Sequence, residues 1–344
     1  MGARDGLSAL ARYDFASDNV AGAMPEALEA LGRFNGGFEA GYGSDGVSRR
    51  ASDLIRALLD VDAEVWFTAS GTAANALALA SLAKPHEAVA AHAASHVATD
   101  ETGAPGFFGS GLGIIPLPGP SGRIEPAALA EVLARPDEPH WQHPAALSLT
   151  QATEFGAVYS AAQLQTLADQ AVAKGAGLHL DGARLANAVA AGFDPRAIGG
   201  LGVGVAVIGG TKAGSTPTEA LVLLDKSLGR RFGARLKHGG QLISKARFLA
   251  APWIGMLESG AWRQRAGHAN AMARRLAAAM PFPLRHAVEA NGVFVEMDEA
   301  ALTRLRGAGW FVYRFIDGSV RFMCSWATTA EAVDEIAGAL REIG

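Results

Sequence analysis

Two side chains able to do covalent and acid–base chemistry follow apolar runs that are typical of buried strands. The run HLDGAR brings Asp181 to the end of one strand and Arg184 one turn later, and the apolar run 205–208 leads through two glycines to Lys212. Open α/β sheets bind ligands at the edge formed by the carboxyl ends of their strands. A lysine at such an edge, beside an apolar core, tends to have its pKa lowered by desolvation and can form a Schiff base. The alternative is a strand-end lysine that only extends its amine into solvent.

A third segment, Ser70-Gly71-Thr72, stands between a strand pattern at 65–67 and a helical pattern at 73–83. Backbone N–H groups at a helix N-terminus bind phosphate, and the helix dipole favours the anion. The same segment also fits a plain N-cap. Alone it therefore indicates an anion site or a helix cap.

The elements that must position these residues alternate along the chain. Strand patterns occur at 65–67, 88–91, 114–117, 145–149, 178–180, 205–208 and 220–224, with helical patterns at 73–83, 125–133 and 161–173 between them. Strands that are apolar on both faces and alternate with helices predict an α/β fold with a mostly parallel sheet, covered on both sides.

The pattern changes after residue 240. A long helical region through Leu276 precedes short strands at 292–296, 310–315 and 320–323, and Thr328-Thr329-Ala330-Glu331 reads as a capping box before a closing helix. We predict an N-terminal arm (1–22), a large α/β domain (23–240) and a smaller C-terminal α+β domain (241–344).

Composition narrows the class of protein. Of 344 residues, 49 % are apolar and 19 % are charged, with a net charge of −4, so the chain can fill a large core and lacks the positive field that nucleic acid requires. The single cysteine, Cys324, excludes a disulfide framework, and no cluster has metal-ligand spacing. No run reaches the ~20 apolar residues of a membrane span, and charges near the N-terminus interrupt any export signal. We therefore predict a soluble cytoplasmic protein without a metal.

In combination and order, these motifs resemble those of the threonine aldolases, the low-specificity L-threonine aldolases and their phenylserine-cleaving relatives. The resemblance spans residues 15–325, and HLDGAR is its most specific part. The other matching segments are Phe15-Ala16-Ser17-Asp18-Asn19, Tyr42-Gly43-Ser44-Asp45, Ser70-Gly71-Thr72-Ala73-Ala74-Asn75, Ser95-His96, Thr211-Lys212 and Val320-Arg321-Phe322. It implies the fold-type-I architecture, a seven-stranded type of sheet with a smaller C-terminal domain, and pyridoxal 5'-phosphate as cofactor.

The resemblance also implies a role for each site residue. For the cofactor, Lys212 would carry the aldehyde carbon, Asp181 would pair with the pyridine nitrogen, and His96 would stack on the ring. The phosphate would be held by Ser70, Gly71, Thr72 and Thr211, with Arg184 also among the cofactor contacts. For the substrate, Ser17, Arg184 and Arg321 would hold the α-carboxylate, His140 would lie near the hydroxyl, and Tyr42 would come from a neighbouring subunit of a homodimer or homotetramer.

The expected reaction is cleavage of L-threonine, L-allo-threonine and similar β-hydroxy-α-amino acids, L-phenylserine among them, to glycine and an aldehyde. His96, His140 or a water would act as the base. Alternatives are a β-eliminating lyase or an aminotransferase on the same fold, or a non-catalytic binding protein.

Two segments depart from the family pattern. The glycine-rich stretch at 237–242 lacks the usual arginine for the partner's phosphate, so Lys237 or Lys245 would replace it, and Thr150-Gln151-Ala152-Thr153 is closer to the phenylserine branch. The acidic pair Asp100-Glu101 is expected to cap or solvate a loop.

Overall fold

The larger of two sheets has seven strands in the order β1-β7-β6-β5-β4-β2-β3. The structure is a computed structural model and describes residues 11–344. The strands are β1 (Glu64–Thr68), β2 (Glu87–His92), β3 (Gly113–Leu117), β4 (His143–Thr150), β5 (Gly177–Gly182), β6 (Val205–Gly209) and β7 (Glu219–Leu223). Because β7 alone runs antiparallel, to β6 on one side and β1 on the other, the remaining strands share one direction. Their carboxyl ends therefore meet at one edge.

Fourteen α-helices surround the two sheets in the described part of the chain. They are α1 (Pro25–Arg33), α2 (Gly46–Leu59), α3 (Gly71–Leu82), α4 (His96–Thr99), α5 (Ala104–Phe108), α6 (Pro126–Leu133), α7 (Ala161–Val172), α8 (Leu185–Ala190), α9 (Ala197–Gly200), α10 (Phe232–His238), α11 (Arg247–Glu258), α12 (Ala261–Ala278), α13 (Glu299–Gly307) and α14 (Ala330–Ile343). Short 3-10 turns lie at Pro120–Gly122 and Lys226–Gly229. Within residues 11–344, none of these helices has the length and apolarity needed to cross a bilayer.

The central strands are buried on both faces, as an apolar run without alternation predicts. Every residue of β6 and β7 is buried, and so are five of the six residues of β5. Helix α3 packs on this sheet and is buried from Ala74 to Ala80, a stretch of four alanines, two leucines and Asn75. Close packing of this kind makes the sheet a rigid support for groups at its edge.

The smaller sheet is antiparallel and has the order β8-β10-β9, with β8 (Gly292–Val295), β9 (Tyr313–Arg314) and β10 (Val320–Met323). Its core is formed with α12, α13 and α14, and Phe15 from the N-terminal segment is buried in it. The Met323 N–H donates to the Phe15 carbonyl over 2.8 Å, so residues 15–18 run alongside β10. This contact places Ser17 and Asp18 where the part of the fold built on the small sheet meets the part built on the large sheet.

The predicted parallel sheet and its strands are confirmed, and three details differ. The single helical region after residue 240 is two helices, because Gly260 has a left-handed φ of 75° and separates α11 from α12. The strand expected at 310–315 is reduced to β9. The N-cap of α14 is Thr329, whose hydroxyl accepts from the Ala332 N–H, while Thr328 accepts from the Ser325 N–H instead of forming the predicted box.

The two hydrophobic cores are joined by α12, which contributes side chains to both. Helix α11 packs with α1 and α2 in the larger core, and α12 contributes Trp262 to the larger core and Leu276 to the smaller one. The predicted arm at 1–22 and the domain limit at 240 stay predictions.

Candidate active site

The carboxyl edge of the large sheet collects the predicted residues because parallel strands end there together. Asp181 is the second-to-last residue of β5, Lys212 comes three residues after β6, and Ser70 lies between β1 and α3. His96 begins α4, four residues after β2. A cleft of about 280 Å³ opens at this edge, between the large sheet and the strand β9 of the small sheet.

Lys212 lines this cleft without a hydrogen bond or ion pair to the residues that the structure describes. Removal from water lowers the pKa of its amine, and the positive charge of Arg184 lowers it further. A lysine with a lowered pKa supplies more of the neutral amine that attacks a carbonyl carbon. The predicted nucleophilic lysine therefore stands in the environment that its chemistry requires.

The two glycines before Lys212 are explained by close backbone contacts. A Cβ at Gly209 would lie 2.1 Å from the carbonyl oxygen of Ala183, and a Cβ at Gly210 would lie 2.5 Å from the carbonyl oxygen of Thr218. Only glycine lets the end of β6 approach the segment that follows Asp181. The Gly-Gly sequence thus brings the lysine and the carboxylate to adjacent strand ends.

Asp181 is buried below the cleft, with 3 % of its surface exposed. Its Oδ1 accepts from the Ala183 N–H over 2.9 Å, and its Oδ2 accepts from the Asn75 side-chain amide over 2.9 Å. These two bonds fix the plane of the carboxyl group. The prediction did not assign a function to Asn75, although the residue lies within one of the matching segments.

The N-terminus of α3 faces solvent at the same edge. The Ser70 hydroxyl accepts from the Ala73 N–H over 3.3 Å, and a Cβ at Gly71 would meet nothing within 4 Å. The first N–H groups of this twelve-residue helix have no partner inside the helix. Thr72, in the first turn of α3, is half-buried. A further hydroxyl, that of Thr211, accepts from the Thr218 N–H over 3.1 Å. Open N–H groups and hydroxyls at this helix end fit a phosphate group.

The two predicted carboxylate-binding arginines differ in what they already bind. Arg184 donates from Nε and Nη2 to the two oxygens of Asp18, over 2.6 and 2.9 Å, and Asn291 donates to the same carboxylate over 3.1 Å. Although burial opposes ionisation of Asp18, the Arg184 charge and hydrogen bonds lower its pKa to about 2. Two of the three guanidinium nitrogens of Arg184 are therefore already bonded to Asp18.

Arg321 has no carboxylate partner among the described residues. Its guanidinium lies 4.7 Å from the ring centroids of both Tyr313 and Phe315, and its buried Nε has no hydrogen-bond partner. Burial, followed by repulsion from Arg184, lowers its pKa to about 10, which leaves it charged at neutral pH. Arg321 is thus the guanidinium available to an incoming carboxylate, and Ser17 lines the same cleft.

Two buried glutamates contact His96, and the sequence analysis assigned neither of them to the site. The backbone N–H of His96 donates to Glu154 Oε1 over 2.9 Å, and the ring Nδ1 lies 2.9 Å from Glu101 Oε1. Burial, reinforced by the charge of Asp181, raises the pKa of Glu154 to about 7. The Asp100-Glu101 pair was predicted to cap or solvate a loop. That is wrong for Glu101, whose side chain is fully buried against His96, while Asp100 is exposed. Their signals, an acidic pair after His96 and an acid after Thr153, are too short to be specific.

Two predicted residues lie outside this chain's own cleft. His140 is exposed in the loop before the amino end of β4, and that strand separates it from the active edge by roughly 20 Å at ~3.3 Å per residue. The prediction that His140 reaches the substrate hydroxyl is therefore wrong within one chain. Tyr42 lies on an exposed turn with a φ of 60°, where the Lys237 amine is 5.0 Å from its ring centroid. Its predicted place in a neighbouring subunit's site stays a prediction.

A strand-end lysine beside a strand-end aspartate, with an open helix N-terminus on the same sheet edge, defines a pyridoxal-phosphate-dependent enzyme of fold type I. The cofactor fits the residues present, because Lys212 has no partner in the described part of the chain and the first N–H groups of α3 are open. The chain belongs to the beta-eliminating lyase family, whose model matches residues 14–300. Enzymes of this family use pyridoxal 5'-phosphate and are lyases.

Individual relatives agree with this assignment over almost the whole chain. A low specificity L-threonine aldolase from Pseudomonas sp. (strain NCIMB 10558) is 42 % identical over 336 residues, which cover 96 % of this chain and 97 % of that protein. One from Pseudomonas aeruginosa is 43 % identical over 334 residues, covering 95 % and 96 % respectively. The solved structure of a Leishmania major threonine aldolase superposes with a TM-score of 0.90 at 28 % identity, covering 97 % of this chain and 100 % of that one.

Proposed function

We propose that this protein cleaves L-threonine, L-allo-threonine and similar β-hydroxy-α-amino acids, L-phenylserine among them, to glycine and an aldehyde. The observation that carries the proposal is Lys212, which has a lowered pKa and no partner among residues 11–344, and which lies beside Asp181 and in one cleft with Arg321. The names of the relatives above support the choice of reaction.

The cofactor would be held from three sides by residues of this chain. Ser70, Gly71 and Thr72 offer N–H groups and hydroxyls to its phosphate, with Thr211 adjacent, and Asp181 offers a fixed carboxylate to its ring nitrogen. When bound, pyridoxal 5'-phosphate supplies an aldehyde for the lysine amine and a ring that withdraws electrons from the substrate's α-carbon.

The substrate is oriented by its carboxylate. The guanidinium of Arg321 is fixed between two aromatic rings, so it presents a planar fork in one orientation, and Ser17 adds a hydroxyl. Arg184 lines the same cleft and adds positive charge while it remains paired with Asp18. A fixed carboxylate sets which bond of the α-carbon is aligned for cleavage.

The base for the β-hydroxyl is proposed to be His96 or a water that it holds. Its imidazole lines the cleft, with 31 % of the side chain exposed, whereas His140 lies at the opposite edge of the sheet. The hydrogen bond with Glu101 raises the pKa of His96, which makes its imidazole a stronger proton acceptor.

Product analysis tests the proposal most directly. Purified protein loaded with pyridoxal 5'-phosphate is expected to release glycine and acetaldehyde in equal amounts from L-threonine, and K212A is expected to lose both this activity and the visible absorbance of the bound cofactor. A K212A variant that keeps its colour and its rate would contradict the proposal. Rates on L-threonine, L-allo-threonine and L-phenylserine would then rank the substrates.

A second candidate reaction is β-elimination, which the family description itself favours. It would give ammonia and a 2-keto acid in place of glycine and an aldehyde, and an aminotransferase would give a keto acid without free ammonia. The same product assay therefore separates the three reactions.

The assembly and location are also proposals. We propose a cytoplasmic homodimer or homotetramer in which Tyr42 of one subunit reaches the cleft of the next, supported by the exposure of Tyr42 and the nearby Phe38. Sedimentation of the loaded protein tests the assembly, and a Y42F variant that leaves KM unchanged would argue against the shared site.

A further inference from the structure

Four side chains form a continuous hydrogen-bonded chain beneath the cleft. His96 Nδ1 lies 2.9 Å from Glu101 Oε1, and the Asn75 amide donates to that same oxygen over 3.0 Å and to Asp181 Oδ2 over 2.9 Å. The four residues come from α4, the turn after it, α3 and β5. The chain therefore connects the imidazole in the cleft to the carboxylate that would pair with the ring nitrogen of the cofactor.

Only one end of this chain reaches solvent. The Glu101 side chain is fully buried, Asn75 and Asp181 are each 3 % exposed, and 31 % of the His96 side chain is exposed. Hydrogen bonds inside such a dry environment are stronger than in water and hold their groups in one arrangement. The His96 ring therefore has a fixed orientation as well as a place in the cleft.

The chain also determines which ring nitrogen carries the proton. An ionised Glu101 can only accept, and its Oε1 already accepts from Asn75, so His96 Nδ1 is then the donor toward the same oxygen. In the neutral imidazole Nε2 is left without a proton. The exposed Asp100 has its Oδ2 3.6 Å from Nε2, beyond hydrogen-bond distance.

We propose that Glu101 and Asn75 are positioning residues that hold His96 with its Nε2 ready to accept the β-hydroxyl proton of the substrate. This inference rests on the proposed aldol cleavage. As the hydroxyl becomes the aldehyde carbonyl, its O–H bond breaks and an Nε2–H bond forms. The electron pair of the broken carbon–carbon bond remains on the glycine side, whose α-carbon then regains one proton.

Asn75 has a second purpose in this arrangement. It is neutral and donates to both Glu101 and Asp181, so the two carboxyl groups share a donor instead of facing each other. Burial is the main cause of the raised pKa of Glu101, and the hydrogen bond with Glu101 is the main cause of the raised pKa of His96. The negative charge of Asp181 raises both pKa values further. The protonation of His96 is thereby coupled to the Asp181 carboxylate, which would pair with the ring nitrogen of the cofactor.

The charged groups around the imidazole come from several elements, and the test must consider them all. They are Glu101 and Asp100 after α4, Asp181 on β5 and Lys212 after β6. Glu154, after β4, accepts from the backbone N–H of His96. Of these, Glu101 raises the pKa of His96 most, by its hydrogen bond, while burial and the Lys212 charge lower it.

The test combines E101Q with the titration of His96 in the loaded protein. Hydrogen–deuterium exchange at the imidazole Cε1, followed by mass spectrometry across pH, gives the midpoint for His96 without turnover. We expect E101Q to lower this midpoint and kcat to fall about 10- to 100-fold, with KM within about threefold and the cofactor absorbance retained. D100N removes an exposed negative charge near the same ring and is the matched control, expected to shift the midpoint less than E101Q does.

A double-mutant cycle separates positioning from a general structural role. If Glu101 acts through His96, E101Q lowers kcat no further in an H96N background, whereas independent roles multiply. Multiplying effects, or an unchanged His96 midpoint in E101Q, would overturn the proposal. N75A breaks the link to Asp181 while keeping both ends, and it is the second variant should E101Q fail to fold; an N75A midpoint equal to that of the wild type would then refute the coupling.

The exchange titration does not depend on which reaction the protein catalyses. If no glycine forms from any β-hydroxy amino acid but E101Q still lowers the His96 midpoint, the proposed function fails while the positioning of His96 stands. If glycine forms and the midpoint does not move, the positioning fails while the proposed function stands.

Discussion

The buried ion pair between Asp18 and Arg184 gives the most direct test of how the cleft is held together. The Asp18 side chain has no exposed surface and that of Arg184 is 10 % exposed, and two hydrogen bonds of 2.6 and 2.9 Å join them. Asp18 lies in the N-terminal segment beside β10, and Arg184 begins α8 on the large sheet. The pair therefore connects the two structural units at the wall of the cleft.

Replacing Asp18 with Asn keeps the shape and removes the charge. Arg184 would then be buried without a counter-ion, a change that costs about 3 to 5 kcal/mol when one partner of a buried pair is removed. The pKa gives a similar figure, since a fall from 3.8 to about 2 corresponds to about 2 to 3 kcal/mol at ~1.4 kcal/mol per pKa unit. Because the folded pKa is depressed, this stability is present above about pH 4 and is lost as the pH falls toward 2.

Thermal unfolding is the assay. At about 2 cal/mol/K per residue, a chain of 344 residues has an unfolding entropy of about 0.7 kcal/mol/K, so 3 to 5 kcal/mol lowers the midpoint by about 4 to 7 °C. The control is D194N, which removes the acid from an exposed pair with Arg196 at 2.7 Å and is expected to leave the midpoint nearly unchanged, because solvent screens such a pair. Equal midpoints for D18N and D194N would refute the reasoning.

Three further predictions concern single residues of the site. Glu154 has a pKa of about 7 in the folded protein against its usual 4.5, so the folded state favours the protonated carboxyl. The cofactor-free wild type should therefore lose thermal stability as the pH rises from 4.5 to 7, and E154Q should lose less. Parallel curves of thermal midpoint against pH for the two proteins would contradict this. G209A should lower the thermal midpoint and the retained cofactor, since its Cβ would lie 2.1 Å from the Ala183 carbonyl oxygen, while G200A, with nothing within 4 Å, should do neither. R321K keeps the charge but not the planar fork between two rings, so kcat/KM for the amino acid should fall about 10- to 100-fold; an unchanged value would remove Arg321 from substrate binding.

The sheet was predictable because its signals are local. The apolar runs of β5 and β6 have no alternation, and the residues that end them, Asp181 and Lys212, are of unusual type for such positions. Strands of one direction place their ends at one edge, so the proximity of these two groups followed from topology alone. The direction of β7 and the break at Gly260 depend on tertiary packing and on one backbone angle, which the sequence pattern does not report.

The partners of the site residues were much harder to predict. Arg184 and Arg321 are the same type of residue in the same resemblance. Arg184 is paired with Asp18, more than 160 residues away, whereas Arg321 has no carboxylate partner within residues 11–344. His140 was assigned by sequence spacing, but the direction of β4 places it at the amino edge of the sheet. Such pairings depend on which segments the fold brings together, and spacing along the chain does not contain that information.

The acidic groups at the sheet edge share one cause for their behaviour. Glu101, Glu154 and Glu219 all have raised pKa values, in each case first because they are buried and then in part because of the negative charge of Asp181. The carboxylate at the end of β5 therefore favours protons on its three acidic neighbours. Replacing Asp181 with Asn should consequently lower the pKa of all three, and the thermal midpoint of the cofactor-free variant should fall less between pH 5 and pH 7 than that of the wild type. A variant whose midpoint follows the wild-type curve over this range would show that burial alone sets these pKa values.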